Sequence, residues 1–322
     1  MNKPVPKKKI LTLGNPVYDR INTPVLVRED RVLSGCSTNA SLAVTKLGEA
    51  AVLVGTVGPD FEARLSSDLA HWGIEGHLFS SAQTGGFQLL YDARGDRELD
   101  VLGIADPIPV YRNGAEKYDF VLLGPILGEI SPALVRSLKT EVAAPFILDP
   151  QGLLRRIEDG RVAHFCSDEF VEIAGLSTIV KANELEARVV TGIEPRTDPE
   201  GAVRALHEYG CEIAIVTLAE AGSIIFDGER LVTIPAFRTE AVDPTGAGDT
   251  YAGGFMVRYL ETPDDLLACG CFASSVASVM VENSGPEFPL TRAEADRRTE
   301  VLMAGPHELG LGSGPREIRK LS

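Results

Sequence analysis

The residues with the clearest capacity for chemistry lie in one run, Ala241-Val242-Asp243-Pro244-Thr245-Gly246-Ala247-Gly248-Asp249-Thr250-Tyr251-Ala252-Gly253-Gly254-Phe255. Gly246 and Gly248 let the backbone pass close to a ligand in conformations that a Cβ opposes, as a turn lying against phosphate requires. Downstream, Phe255, Met256, Tyr259 and Leu260 recur at helical spacing and Pro263 closes the run. The turn therefore sits on a helix N-terminus, where free N–H groups and the helix dipole favour an anion. A carboxylate beside such a site repels the anion unless it has a proton to take. Asp249 is that carboxylate, and phosphoryl transfer to a hydroxyl needs a base of this kind. A Gly-rich loop with a capping Asp is the competing reading of any short Gly-x-Gly-Asp.

A loop of this kind has to be held by a sheet, and the rest of the chain reads as one. Residues 10–13 form an apolar strand, followed by Gly14 and Asn15-Pro16-Val17-Tyr18-Asp19 at the end where α/β sheets place ligand groups. Asp19 either faces a substrate there or closes a turn. Residues 21–33, with Pro24 and scattered β-branched residues, suggest lid strands more than core. A second strand at 51–57 and an amphipathic helix at 61–72 follow, then a hairpin at 84–99 with Arg94-Gly95-Asp96 at its tip. From Asp119 onward strands and helices alternate, which predicts a parallel sheet with crossover helices. The strand at 145–148 ends in Asp149-Pro150-Gln151-Gly152. Asp149 and Gln151 are candidate substrate contacts, and turn chemistry explains the same tetrapeptide equally well. Asn183 and Glu186, three residues apart at a helix start, match a capping box. The strand at 212–217 precedes Leu218-Ala219-Glu220-Ala221-Gly222-Ser223, and Asp227-Gly228 makes a hairpin turn. Beyond Leu302 the tail carries Gly305, Gly310, Gly312 and Gly314 with little periodicity.

Composition narrows the function classes. The 322 residues are 44% hydrophobic and 24% charged, ordinary for a folded globular chain. A net charge of −15 argues against nucleic acid or an anionic membrane as partner, so a phosphate ligand must rely on local dipoles and cations. Five cysteines without a Cys-x-x-Cys pair suit a reducing cytoplasm better than a disulfide framework or a zinc site. Lys7, Lys8 and Lys9 precede an apolar run too short for the ~7–15-residue core of a signal peptide. Residues 266–281 are uncharged but number 16 against the ~20 of a membrane helix, and read as a buried, tightly packed helix. No Gly-x-x-x-x-Gly-Lys-Ser/Thr occurs, and Gly310-Leu311-Gly312 follows no strand, which removes P-loop and dinucleotide fingerprints.

Asp243-Pro244-Thr245-Gly246-Ala247-Gly248-Asp249-Thr250 followed by an aromatic and small residues closely resembles the second signature of the ribokinase/PfkB carbohydrate kinase family, with Tyr251 where many members have Phe. Ser34-Gly35-Cys36-Ser37-Thr38-Asn39-Ala40 is similar to the first signature, with Ser34 in place of a glycine that would let a backbone approach. Asn183-x-x-Glu186 matches a third motif, and Thr217 with Gly222 a nucleotide-binding one in which Ala219 stands where Gly is usual.

The resemblance covers residues 10–300. It implies a ribokinase-like α/β fold, a mostly parallel sheet flanked by helices, as one domain over 1–304 with a β lid from about 15–34 and 84–103 and a tail over 305–322. It implies ATP-dependent phosphorylation of a hydroxyl on a small polyhydroxy compound, a sugar or polyol. Asp249 would be the base, and Gly246, Ala247 and Gly248 would give N–H groups to the transferring phosphate. Asp19, Gly35, Asn39, Gln88 and Asp149 would meet the substrate. Thr217, Gly222, Thr245 and Asn183 would serve the nucleotide, and Asn183 with Glu186 would orient Mg²⁺ and its waters. Relatives often hold a monovalent cation near Asp243 and Thr245. A homodimer is compatible with the sequence. Two rivals stay open: a nucleoside kinase, with Phe61 or Phe87 stacking a base although aromatics are only 6% of the chain, and a metabolite sensor without catalysis.

Overall fold

The computed structural model describes residues 6–27, 30–91, 97–112, 116–158, 161–304 and 318–320. Its centre is a ten-stranded sheet in which the strands Ile213–Thr217, Ile179–Asn183, Phe146–Leu148, Phe120–Leu123, Lys9–Leu13, Ala50–Val57 and Glu75–Ser80 run parallel, in that spatial order. Ser223–Phe226, Arg230–Ile234 and Ile318–Lys320 extend it antiparallel at one edge. The last of these returns part of the 305–322 segment to the sheet, where a separate tail was expected. Ladder pairing outranks periodicity over so few residues. The tail glycines at 305, 310, 312 and 314, and the hairpin tip at Arg94-Gly95-Asp96, lie outside the described residues.

Side-chain alternation explains why both faces are covered. Ile10, Phe120 and Leu122 enter one apolar core, under the helices Cys36–Lys46, Glu62–Trp72, Ala247–Glu261, Leu266–Val281 and Arg292–Ala304. Leu11, Leu13, Val121 and Leu123, the alternate residues, enter the other, under Pro132–Glu141, Asp168–Leu176, Glu184–Thr191 and Pro199–His207. The uncharged segment Leu266–Val281 is a helix, buried along most of its length as its small residues suggested. Small residues also set its neighbours: a Cβ on Gly254 would lie 2.9 Å from Val276 Cγ2, and one on Gly253 2.9 Å from Ala40 O. The helices Ala247–Glu261 and Cys36–Lys46 can therefore approach closely, and this brings Asn39 to Asp249. Among the described residues no helix is long and apolar enough to cross a membrane.

A second sheet of seven strands forms the lid. Val17–Thr23 pairs antiparallel with Leu26–Val27 and Val32–Ser34 and parallel with Gly86–Tyr91, which pairs with Arg97–Gly103. The lid is wider than the sequence suggested, because Arg155–Glu158 and Arg161–His164 form a hairpin that joins it through Arg161 and Asp100. This strand pair was missed because its residues are short, charged and weakly alternating. Asp159-Gly160 between Ile157 and Val162 was the available turn signal.

Candidate active site

The glycine loop lies beside the C-terminal ends of the parallel strands. Gly246 has φ +81°, in the left-handed region, and caps the helix Ala247–Glu261. A Cβ there would stand 2.9 Å from Asn39 Nδ2, and one on Gly248 2.9 Å from Lys181 Nζ, so both positions form a cradle that a larger residue would fill. The Ala247 N–H turns back to Pro244 O at 3.2 Å. Gly248 and Asp249 follow in the first turn, whose amides have no carbonyl partner within the helix. Donors for a phosphate are thus available at 248 and 249, whereas the amide of Ala247 is engaged.

Asp249 is partly exposed at this mouth, and its Oδ2 accepts from Asn39 Nδ2 at 2.9 Å. The Cys36 thiol lies beside the same carboxylate and lowers it. Cys36, Asp149 and Asp249 each present an atom within 4.8 Å of the other two. Burial, and next the facing Asp149, hold the Asp249 carboxyl above the usual range, while Asn39, Lys181 and Cys36 pull it back. Burial likewise holds the Cys36 thiol well above its ordinary value.

Asp149 is buried, with Oδ2 accepting from Lys181 Nζ at 2.6 Å and Oδ1 from Gln151 N at 3.4 Å. Its nearest partner is therefore a lysine that sequence reasoning passed over. The signal was there: a charge inside Ile179-Val180-Lys181-Ala182 must find a counter-charge once the strand is covered. Asn183 and Glu186 form the capping box in full: Glu186 N donates to Asn183 Oδ1 at 2.9 Å, and Asn183 N to Glu186 Oε2 at 2.9 Å. Asn183 Nδ2 adds a bond to Glu186 Oε1 at 2.7 Å. Burial and the facing Asp149 push Glu186 up to about 7, against the pull of Lys181.

The first-signature residues are placed by backbone demands. Gly35, at φ +108°, caps Cys36–Lys46, and a Cβ on it would lie 3.0 Å from Asn15 O. Ser34 is buried and pairs with Val17 in the lid, in extended backbone that a serine adopts as readily as a glycine. Asp19 is buried and its Oδ1 accepts from Phe87 N at 2.7 Å. The lid register pairs Arg20 with Gln88, so Asp19 and Phe87 share one face and Gln88 lies on the opposite one. Gln88 is therefore not brought to the Asp19 side. A cleft lined by Asn15, Val17, Phe87, Ile104, Ile126 and Glu129 opens between lid and sheet. Tyr91, also overlooked in the sequence, reaches from the lid to Thr245, hydroxyl to hydroxyl at 2.9 Å.

On the side that the family pattern gives to the nucleotide, Thr217 pairs with Asn183 across parallel strands. Ser223 Oγ lies 2.8 Å from Tyr251 Oη, a buried partner that accounts for Tyr in place of Phe. Ala219 has φ +46°, the one non-glycine in the left-handed region among the described residues. A glycine fits that backbone without Cβ strain, so Ala219→Gly is expected to stabilise the fold by up to about 1 kcal/mol. A thermal melt that falls instead would show the alanine to be favoured by packing.

Residues 155–293 match the family model described as pfkB family carbohydrate kinase. A cytidine kinase of Thermococcus kodakarensis is 32% identical over 241 residues, spanning 70% of this chain and 78% of that protein. An inositol 3-kinase of Arabidopsis thaliana is 27% identical over 304 residues, 89% of this chain and 78% of the relative. Among solved structures, an Arabidopsis thaliana ribokinase complexed with ribose and ATP superposes with a TM-score of 0.74 at 21% identity, covering 91% of this chain and 99% of that one. At that identity the likeness bears on the fold alone.

Proposed function

The chain belongs to the pfkB family of carbohydrate kinases, and from that premise we propose that it transfers the γ-phosphoryl group of ATP to a hydroxyl of a small sugar or polyol, with Asp249 as the base. The observation that carries the site assignment is the Asp249 carboxylate, fixed by Asn39 in the first turn of a helix that opens on a left-handed glycine. Asp249 takes the acceptor hydroxyl's proton as the oxygen bonds to the γ-phosphorus and the bond from that phosphorus to the β-phosphate oxygen breaks. Amides at Gly248 and Asp249 face the charge that spreads over the transferring group. Asn39 fixes the carboxylate, and Asp19 and Gly35 line the approach of the polyol. An ATP-consumption screen of the purified chain against sugars, inositols, sugar acids and nucleosides tests this reading. No turnover with any of them would favour the metabolite sensor.

Magnesium fits the donor set. Asp149, Glu186 and Asp249 crowd three carboxyl groups around the ammonium of Lys181, with the Arg155 guanidinium also acting on Glu186, and a divalent ion would offset their mutual repulsion. With the Glu186 oxygens engaged in the capping box, Glu186 and Asn183 would hold the ion through its waters, which suits Mg²⁺. Bound there it would neutralise charge between the phosphates. Glu186→Gln is then expected to raise the Mg²⁺ concentration for half-maximal activity several-fold. If capping were the residue's whole role, the variant would lose stability, typically ~1 kcal/mol, with an unchanged Mg²⁺ curve. A monovalent cation is not needed to explain Asp243, whose buried oxygens accept from Thr245 N at 2.9 Å and Ser284 Oγ at 2.6 Å.

A nucleoside acceptor is supported by one observation, the apolar wall of Val17, Phe87, Ile104 and Ile126. The polar groups of that cleft are engaged: Asn15 bonds Asp106 O and Thr56 N, and Glu129 takes the amides of Asn15, Ile126 and Leu127. Such a wall suits a flat base better than a hydroxyl. The cytidine kinase relative gives the same lead, and the nucleoside arm of the screen decides it.

A further inference from the structure

The lid touches the turn before the glycine loop at two points to which the transfer steps give no part. Thr23 and Tyr91 end the lid strands Val17–Thr23 and Gly86–Tyr91, which run parallel with Asn22 opposite Leu90, so the two residues stand side by side at the lid tip. Alternation puts them on the lid face that also carries Asp19 and Phe87. The Tyr91 and Thr245 hydroxyls meet at 2.9 Å, and Thr23 Oγ1 donates to Val242 O at 3.3 Å while accepting from Val25 N at 3.3 Å and Leu26 N at 3.1 Å. These two contacts join residues 154 and 219 positions apart, and they bracket Asp243-Pro244, the turn that runs directly into the left-handed Gly246. The lid is fastened differently along its length. At its base Tyr18 stacks on Phe61 with ring centroids 4.2 Å apart, Arg31 lies over Phe61 and Arg64 over Tyr18, and Tyr18 Oη donates to Asp68 Oδ2 at 2.6 Å. Further along, Ile21, Phe87 and Leu89 share an apolar cluster with Cys36 and Ile126. At the tip Val25 and Val27 are 74% and 73% exposed, so hydroxyl bonds more than apolar burial attach it to the turn.

We propose that Thr23 and Tyr91 latch the lid tip onto this turn, and that Tyr91 is a positioning residue for phosphoryl transfer that acts through Thr245 on the glycine loop. The inference rests on reading residues 246–248 as the loop that faces the transferring group. From the other side the turn is held by Val281 O, which accepts from Val242 N at 2.7 Å and Asp243 N at 3.2 Å, so the turn is clamped between that helix end and the lid. When the latch opens, the stacked base of the lid keeps Asp19 in place and acceptor binding is spared. What loosens is the turn before Gly246, and with it the aim of the amides at 248 and 249 toward the developing charge. Loss of the latch is therefore a loss in kcat. A lid that only covers the acceptor would lose affinity instead.

The test uses Tyr91→Phe in the full chain, a change that removes a hydroxyl and keeps the ring. Amide hydrogen exchange followed by NMR should quicken about fivefold at Val25, Leu26 and Thr245, the scale on which a single neutral hydrogen bond acts, with Val121 and Leu122 of the central sheet unchanged. With an acceptor that turns over, kcat should fall about fivefold while the acceptor KM stays within a factor of about two. Thr245→Val breaks the same contact from the other side, so adding Tyr91→Phe to it should lower kcat no further. Thr245→Ser keeps the hydroxyl and should stay as sensitive to Tyr91→Phe as the parent. Unchanged exchange at the lid tip and the turn in Tyr91→Phe would overturn the latch, and so would exchange that quickens uniformly, central strands included. A parental kcat with a raised acceptor KM would overturn the positioning role. The exchange measurement needs no acceptor, so local quickening without turnover in the substrate screen would uphold the latch and sink the kinase reading beneath it.

Discussion

Asp249→Asn is expected to lower kcat by about 10²–10⁴-fold, the range in which loss of a general base falls. The substitution keeps size and hydrogen bonding. An asparagine at 249 can present its carbonyl to Asn39 Nδ2, which donates to Asp249 Oδ2 at 2.9 Å in the parent, and it has no cap bond to lose, since Gly246 caps the helix and Asp249 is its third residue. What it cannot do is accept the hydroxyl proton. ATP affinity should persist or increase, because a negative charge beside the γ-phosphate is gone. The pH dependence supplies a second reading. Burial and Asp149 hold the parent carboxyl above the usual range, so activity is present above that raised value and lost as pH falls through it. In the variant this acid limb should disappear. If Asp249 served only the fold, turnover would be near normal in Asp249→Asn, and parental kcat in the variant would refute the mechanism.

The arrangement of the fold was largely legible because its sequence signals are redundant. Residues 120–123 are apolar throughout, as a strand covered on both faces must be, and the strand runs from Phe120 to Leu123. The glycine loop was legible because its glycines are required twice, by a left-handed backbone at Gly246 and by close approach of Asn39 and Lys181. Contacts that depend on which strand neighbours which were not legible. Lys181 meets Asp149 only because Phe146–Leu148 and Ile179–Asn183 are adjacent and in register, a fact about residues 32 positions apart. The position of Gln88 failed for the opposite reason: one residue of register decides its face, and the sequence shows alternation without saying which side is in. At Asn183 and Glu186 the sequence left a cap or a metal role, and the geometry realises the cap while leaving the acidic excess around it.

Gly222→Ala carries the second large effect, and it bears on what that glycine is for. The family pattern sets Gly222 at the nucleotide, yet its backbone, φ +95° and ψ −133°, is one that side chains resist. A Cβ there would fall 2.0 Å from Ile234 O and 2.9 Å from Ala236 N, both backbone atoms that cannot rotate away. The turn is also pinned: Leu218 N donates to Gly222 O at 2.7 Å, and Gly222 N to Ala219 O at 3.1 Å. Strain of ~1–3 kcal/mol in the dihedrals adds to ~1–3 kcal/mol for forced overpacking. A loss of about 3 kcal/mol or more results, roughly 4 °C or more in melting temperature for a domain of this size. ATP affinity of the molecules that remain folded should change little, since the added methyl points at Ile234 and Ala236 rather than at Thr217. A variant that melts like the parent but binds ATP weakly would reverse the assignment and return Gly222 to the nucleotide. If both fall together, titrating ATP during the melt separates them, because a ligand that still binds the native state raises the melting temperature as RT ln(1 + [ATP]/Kd) requires.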